Sequence, residues 1–257
     1  MKTLKPITLA ILLMATAASA QKLPNVQKES IFAPADIKID GKATEWHDQF
    51  KAYNSATDVY YTLANDNENL YLIIRAKYKE VEEKIINGGI TLSINHALGK
   101  KDPTAVSVTF PVMRDNDVNL VANMVTRKFY PQINGDTSSI IKVDDLNQLM
   151  DSKSKQINTT GIKSIVDNTI SVYNSEGLKA AERFDDKLQY TCELAIPLKY
   201  LSLSGSQPFS YHITVNEPAP QGPPHPVNGR MPPPGPPMAV TSLAATDFWG
   251  EYQLAAK

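Results

Sequence analysis

The fold is decided by residues 59–74, which read VYYTLANDNENLYLII. From Val59 to Leu63 every second residue is apolar, the period-two pattern of a strand with one buried face. The polar segment at 65–69 is rich in residues that favour turns, and an apolar run at 70–74 follows it. This arrangement predicts a β-hairpin whose second strand lies near the centre of a sheet.

Period-two alternation recurs along the chain. It occurs at residues 37–39, 90–94, 106–110, 162–166, 169–173, 190–196, 209–215 and 248–254, and it is clearest in the pair 90–94 and 106–110. A short helix is predicted at 143–150, where apolar residues recur at helical spacing and Asp144 and Asp145 suit a helix amino terminus. Eight or more short strands with one or two short helices predict an all-β fold, an antiparallel β-sandwich.

The amino terminus has the pattern of a secretory signal peptide at residues 1–20: Lys2 and Lys5, an apolar run at 7–18 and a small-residue end. No later segment has the roughly 20 apolar residues that a membrane helix needs, so we expect no membrane span. No cysteine lies near the predicted cleavage site to accept a lipid. We therefore expect a periplasmic or secreted protein.

We expect one β-sandwich domain at residues 36–257, preceded by an amino-terminal arm at 21–35. The only cysteine, Cys192, cannot form an internal disulfide. Hydrophobic residues make up 42% of the chain and charged residues 21%, which is typical of a folded globular protein. Stability must therefore come from an ordinary core.

Charge and motifs exclude several classes of function. The formal net charge is −1 and there is no basic run, which argues against nucleic-acid binding. The chain has no Gly-x-Ser-x-Gly, no His-Glu-x-x-His and no glycine-rich phosphate loop. We therefore predict that the protein is not an enzyme; an active site assembled from distant loops is the alternative.

A proline-rich segment at residues 217–238 holds ten of the 18 prolines. Few of its backbone amides can join a sheet, so it predicts a long loop, partly polyproline II, between the last two strands. Such a loop suits a structural or envelope protein that binds a protein partner. Its His225, Met231 and Met238 could ligate copper(I) or haem iron, the alternative being a solvated loop.

Three parts of the chain resemble a known family. They are IKIDGKATEW at 37–46 followed by DNENLYL at 66–72, YNSEG at 173–177 leading to YTCELAIPL at 190–198, and FWGEY at 248–252. In order and spacing they resemble the carbohydrate-binding module family 9-like domains, relatives of the DOMON superfamily, in their stand-alone exported bacterial form. The resemblance covers residues 36–254.

The resemblance implies a β-sandwich of jelly-roll type that binds a carbohydrate or a glycan-derived molecule. It also implies calcium in some members and haem in other relatives of the superfamily. Fold by itself does not choose among these ligands.

Sugar recognition needs flat aromatic faces together with planar polar groups. Trp249 is the first candidate, because alternation places it on the opposite face of its strand from Phe248 and Tyr252; the alternative is a strand buried on both faces. The other tryptophan, Trp46, is expected in the core.

Three further ligand-binding candidates are Arg75, Arg114 and Tyr130. Arg75 follows the apolar run at 70–74, is expected to share a face with Tyr71 and Ile73, and could bind a hydroxyl or carboxylate of the ligand. The alternative is that it ends its strand at the solvent or pairs with a nearby acid. Arg114 and Tyr130 are expected on loops.

Asp66, Asn67 and Glu68 offer oxygen ligands that suit calcium. They lack the spacing of the twelve-residue calcium loop, and turns rich in Asp and Asn are common without a metal. A calcium site and an ordinary hairpin turn are therefore the two interpretations of this segment.

Overall fold

The structure is a computed structural model that describes residues 22–129, 142–203, 205, 207–218 and 244–257. These residues form eleven strands, three α-helices and one 3-10 turn. In chain order they are β1 Ala52–Asn54, β2 Val59–Asn65, β3 Asn69–Ala76, α1 Lys79–Gly88, β4 Ile90–Ile94, β5 Val106–Val112, α2 Asp115–Phe129, α3 Val143–Lys153, β6 Gln156–Thr160, β7 Thr169–Ser171, β8 Lys179–Phe184, β9 Tyr190–Pro197, the 3-10 turn Leu198–Tyr200, β10 Phe209–Val215 and β11 Thr246–Tyr252.

The strands form two antiparallel sheets, a five-stranded sheet in the order β1-β2-β3-β9-β8 and a six-stranded sheet in the order β11-β10-β4-β5-β6-β7. The predicted hairpin is β2 and β3, in which Leu63 lies opposite Leu72, and β3 is the middle strand of its sheet. The all-β, two-sheet character predicted from the sequence is confirmed.

Apolar side chains from both sheets form the main core. Tyr61 and Leu72 of the five-stranded sheet share it with Leu92 and Tyr211 of the six-stranded sheet, and all four are fully or almost fully buried. The hydroxyls of Tyr61 and Tyr211 lie 2.8 Å apart, so the polar atoms of these two rings satisfy each other inside the core.

The two ends of the sandwich differ. Because α1 links the end of β3 to the start of β4, α2 follows β5 and α3 precedes β6, all three helices lie at one end. Their buried residues, including Ile85, Val121 and Leu146, complete the main core. Loops at 95–105, 161–168, 201–203 and 207–208 lie at the other end.

A second apolar cluster covers the outer face of the five-stranded sheet. Trp46 and Phe50, from the segment before β1, pack there with Tyr71 and Ile73 of β3. Trp46 is 7% exposed, so its expected place in a core is confirmed.

The amino-terminal arm joins both sheets at one side of the sandwich. The buried side chain of Gln27 bonds both backbone groups of Leu63, at 2.8 Å each. Further along, Ile31 donates its backbone N–H to the hydroxyl of Tyr252 on β11, at 3.0 Å. The arm is therefore part of the packed structure.

Local predictions differ from the structure in several places. Residues 37–39 and 162–166 form no strand: Ile37 and Ile39 pack on the second cluster, and Val166 is 92% exposed in a loop. The helix expected at 143–150 is α3. Because α1 and α2 were not expected, the prediction of one or two helices was wrong.

Two of the expected segments lie outside the described residues: the signal peptide at 1–20 and all but the first two residues of the proline-rich segment at 217–238. Within the described residues, no helix is both long and apolar enough to span a bilayer.

Candidate functional site

The outer face of the six-stranded sheet is polar along almost its whole width. Its side chains come from the residues that alternate with the core residues of each strand. One row crosses five strands in register and consists of Trp249, His212, Ser93, Ser107 and Thr160. A second row consists of Asp247, Thr214, Thr91, Thr109, Asn158 and Thr169.

Neighbouring side chains in these rows hydrogen-bond to one another across the strands. The hydroxyls of Ser93 and Ser107 lie 2.7 Å apart, as do those of Thr91 and Thr109. Because hydroxyls both donate and accept, such a face retains free hydrogen-bonding capacity toward a ligand. Adjacent strands lie about 4.8 Å apart, so a row across five strands is about 19 Å long.

Trp249 stands at the edge of this face, stacked on His212. The two rings are nearly parallel, with an interplanar angle of 7° and centroids 4.2 Å apart. The imidazole is held in turn by the carboxylate of Asp247, which bonds its Nε2. Since β11 is the edge strand of its sheet, no further strand formed by the described residues lies beyond Trp249.

The predicted orientation of Trp249 is confirmed. Phe248 and Tyr252 point into the main core, whereas Trp249 is only partly buried and Glu251 is exposed. The alternative of a strand buried on both faces therefore does not hold. This leaves an indole ring in a fixed orientation on a hydroxyl-rich surface.

Arg75 lies on the other side of the molecule. It shares the outer face of the five-stranded sheet with Tyr71 and Ile73, so the main core separates it from Trp249. The two residues do not form one site. A cavity of about 300 Å³ beside Arg75 also contacts Arg183.

The guanidinium of Arg75 already has protein partners. Its Nη2 donates to Oδ1 of Asp48 at 2.8 Å and its Nε to the hydroxyl of Thr191 at 3.3 Å. It also lies 5.0 Å from the centre of the Phe50 ring. Pairing with a nearby acid, the alternative interpretation of Arg75, is therefore what the structure shows.

Arg114 precedes α2 and is bound to Asp117 within the same helical turn, at 2.9 and 2.8 Å. Lys153 of α3 reaches the other oxygen of that carboxylate at 2.8 Å, and hydrogen bonds first from Lys153 and then from Arg114 lower the pKa of Asp117. Arg114 therefore takes part in joining α2 to α3. Tyr130 lies outside the described residues.

The turn at 66–68 is organised by Asp66. Its Oδ1 accepts the backbone N–H groups of Glu68 and Asn69, each at 2.7 Å, and its Oδ2 accepts the hydroxyl of Tyr71 at 2.7 Å. Burial acts to raise the pKa of Asp66, but these bonds outweigh it and the pKa is lowered.

These hydrogen bonds explain the shape of the turn without a metal ion. Among the described residues, no group of three His, Cys, Asp or Glu is placed to hold a metal ion. Calcium at Asp66, Asn67 and Glu68 stays a prediction.

Sequence analysis missed His212 and the rows of hydroxyls. Alternation placed each of them on the polar face of its own strand. The order of strands in the sheet was unknown, so nothing indicated that His212 lies against Trp249.

No protein-family model matches the chain, and no curated protein is similar to it at a significant level.

Proposed function

We propose that the protein is an exported, non-catalytic module that binds carbohydrate on the outer face of the six-stranded sheet. The observation that carries the proposal is Trp249, a partly exposed indole held flat against His212 at the edge of a hydroxyl-rich surface. The apolar face of a sugar ring stacks on an aromatic ring, and its hydroxyls exchange hydrogen bonds with polar side chains.

The same proposal includes the finer features that the sequence suggests. The sandwich is of jelly-roll type, in support of which the chain changes sheet between β3 and β4, between β7 and β8 and between β9 and β10. The proposal also includes three features that the sequence predicts: the resemblance to family 9-like modules, the signal peptide at 1–20 and the long loop at 217–238.

The test is isothermal titration of the mature chain against a broad panel of neutral oligosaccharides. We expect at least one to bind and Trp249→Ala to weaken that binding by about tenfold or more, the loss typical of a buried aromatic contact. Tyr78→Ala, which removes an aromatic ring that is 46% exposed on another element, is the matched control and should bind like the parent.

Two results would count against the proposal. If no oligosaccharide of the panel binds, the proposal of sugar binding is wrong. Binding that Trp249→Ala leaves unchanged would move the site away from this face.

A further inference from the structure

A cleft of about 680 Å³ opens at the end of the sandwich opposite the three helices. Three loops form its walls: the loop after β4 with His96 and Thr104, the connection after β6 with Lys163, and the segment after β9 with Lys199 and Ser202. Its volume lies within the range of roughly 300–1,000 Å³ that organic ligands occupy in proteins. None of its lining residues belongs to the two rows on the outer face of the six-stranded sheet.

The charged side chains that line the cleft are lysines, in a protein whose formal net charge is −1. Two ammonium groups, those of Lys163 and Lys199, come from different walls, and His96 adds an imidazole. None of the described residues that line the cleft is Asp or Glu, although the chain contains 27 of them against 26 Lys and Arg. A cavity lined by one sign of charge concentrates ligands of the opposite sign.

His96 is held in a fixed orientation by Asp102, which lies behind it. The Oδ2 of Asp102 accepts the backbone N–H of His96 and contacts its Nδ1, each at 2.8 Å. Thr104 bonds the other carboxylate oxygen at 2.6 Å. These bonds, first among them that of the His96 backbone, hold the pKa of Asp102 below its usual range.

An ionised carboxylate at Nδ1 favours a proton on that nitrogen. Nε2 is then the ring nitrogen that Asp102 does not engage, on a side chain that lines the cleft. Asp102 therefore acts as a positioning residue for His96.

The wall after β6 is packed tightly against the chain that leads into β5. Gly161 has a φ of +80°, and a Cβ added there would lie 2.2 Å from the carbonyl oxygen of Ala105. Ser202 also has a positive φ, of 47°. Non-glycine residues rarely adopt this conformation, and it is found preferentially at ligand sites.

We propose that this cleft binds an organic oxyanion, a small molecule or glycan end that carries a carboxylate, sulfate or phosphate group. Lys163 and Lys199 supply the charge, the hydroxyl of Ser202 can donate a hydrogen bond to the oxyanion, and Nε2 of His96 can accept one from a hydroxyl of the organic part of the ligand. The proposal does not depend on sugar binding at Trp249, because the two sites share no residue.

The test is a calorimetric titration of the mature chain at low ionic strength with glucuronic acid, glucose 6-phosphate and glucose 6-sulfate. Glucose is the neutral counterpart, and inorganic sulfate and phosphate distinguish a free ion from an organic anion. We expect at least one of the anionic sugars to bind at least about tenfold more tightly than glucose and than the inorganic ions.

Three variants locate the site. The double variant Lys163→Met with Lys199→Met should lower the affinity for the anion by about tenfold or more. His96→Asn keeps a donor toward Asp102 but lacks Nε2, and it should also weaken the binding of the anion. Lys101→Met changes the same charge in the loop after β4 at a residue that does not line the cleft, and should bind like the parent.

Thermal melting of each variant shows whether it is folded. Equal affinity for glucose and for every anionic sugar would overturn the proposal, as would binding of inorganic ions alone. Unchanged binding in both the double lysine variant and folded His96→Asn would do the same.

Discussion

Glu193 binds the segment before β1 to the five-stranded sheet. On the outer face of β9 its Oε1 accepts the indole N–H of Trp46 at 3.0 Å, and its Oε2 accepts the backbone N–H groups of Asp40 and Gly41 at 3.0 and 2.9 Å. The residue is 1% exposed. Burial raises the pKa of Glu193 to about 7, against the opposing effect of these three donors. Both carboxyl oxygens are therefore in use.

We predict that at pH 8, where the carboxyl is ionised, Glu193→Gln destabilises the protein by about 1–3 kcal/mol. An amide has a single acceptor oxygen, so in either orientation its NH₂ faces a buried N–H donor. Urea unfolding followed by near-ultraviolet circular dichroism would measure the loss and report on the packing of Trp46. Glu29→Gln, at an exposed glutamate in the arm, is the control and should change stability little. Equal stability of Glu193→Gln and the parent would contradict this account.

Single residues show what the sequence could and could not reveal at this scale. Alternation assigned Trp249 and Arg75 to the correct faces of their strands, because a strand's period follows from its backbone geometry. The size of its indole assigned Trp46 to a core, but nothing identified its partner, since Glu193 is 147 residues away. In the same way, the sequence placed Arg75 on a face of its strand but did not indicate its partner, Asp48. Long-range pairing depends on the order of strands, which no local pattern encodes.

At the scale of elements, β11 approaches β10 closely at Gly250. Gly250 lies opposite Tyr211 in the register of the two strands, and a Cβ added there would lie 2.2 Å from the tyrosine ring. That ring cannot move away freely, because it packs edge-on to Tyr61 and Phe248 in the main core. The glycine therefore makes room for a core side chain.

We predict that Gly250→Ala destabilises the protein by about 1–3 kcal/mol through overpacking. The displaced Tyr211 would also lose its hydroxyl contact with Tyr61. Gly205→Ala is the matched control: a Cβ there meets no atom of the described residues within 4 Å, so its stability should stay within about 0.5 kcal/mol of the parent. Chemical denaturation of the two variants side by side tests this, and similar midpoints for both would show that β11 adjusts freely.

Three of the elements that sequence analysis missed, β6, β8 and α1, depart from a regular apolar pattern. β8 places Glu182 toward the interior, where an apolar residue is expected, and β6 has only Ile157 from that strand in the main core. α1 buries Glu82 and Lys84 together with Ile85. Buried polar residues interrupt the apolar period on which prediction relies. The hairpin of β2 and β3, by contrast, follows the pattern without interruption.

At the scale of the whole molecule, three buried glutamates make the fold sensitive to pH. Burial is the largest cause in each case and raises the pKa of Glu82, Glu182 and Glu193 to about 7, from 4.5. Glu182 accepts hydrogen bonds from Ser154 and Tyr190, whereas one oxygen of Glu82 has no partner among the described residues. In the folded state each of them retains its proton more tightly than in the unfolded chain.

The sign of the effect follows from linkage. A carboxyl with a raised pKa in the folded state contributes stability that is fully present below about pH 4.5 and is lost as the pH rises through about 7. Asp66, Asp102 and Asp117 have lowered pKa values, so their contribution is lost only as the pH falls below about 3.8. Together these groups place the greatest stability in mildly acidic solution.

We therefore predict that the free energy of unfolding falls between pH 5 and pH 8, with a slope of about 1.4 kcal/mol per pH unit for each proton that the folded state retains. Glu82→Gln removes one titrating group and should make the slope shallower, whatever its effect on stability at a single pH. Glu29→Gln, at an exposed site in the amino-terminal arm, should leave the slope unchanged. Urea unfolding at half-unit pH intervals measures all three proteins. A parent protein whose stability is constant or rises toward pH 8 would mean that these carboxyls reach water in the folded state, which would disagree with the close packing of α1 and β8 against the sheets.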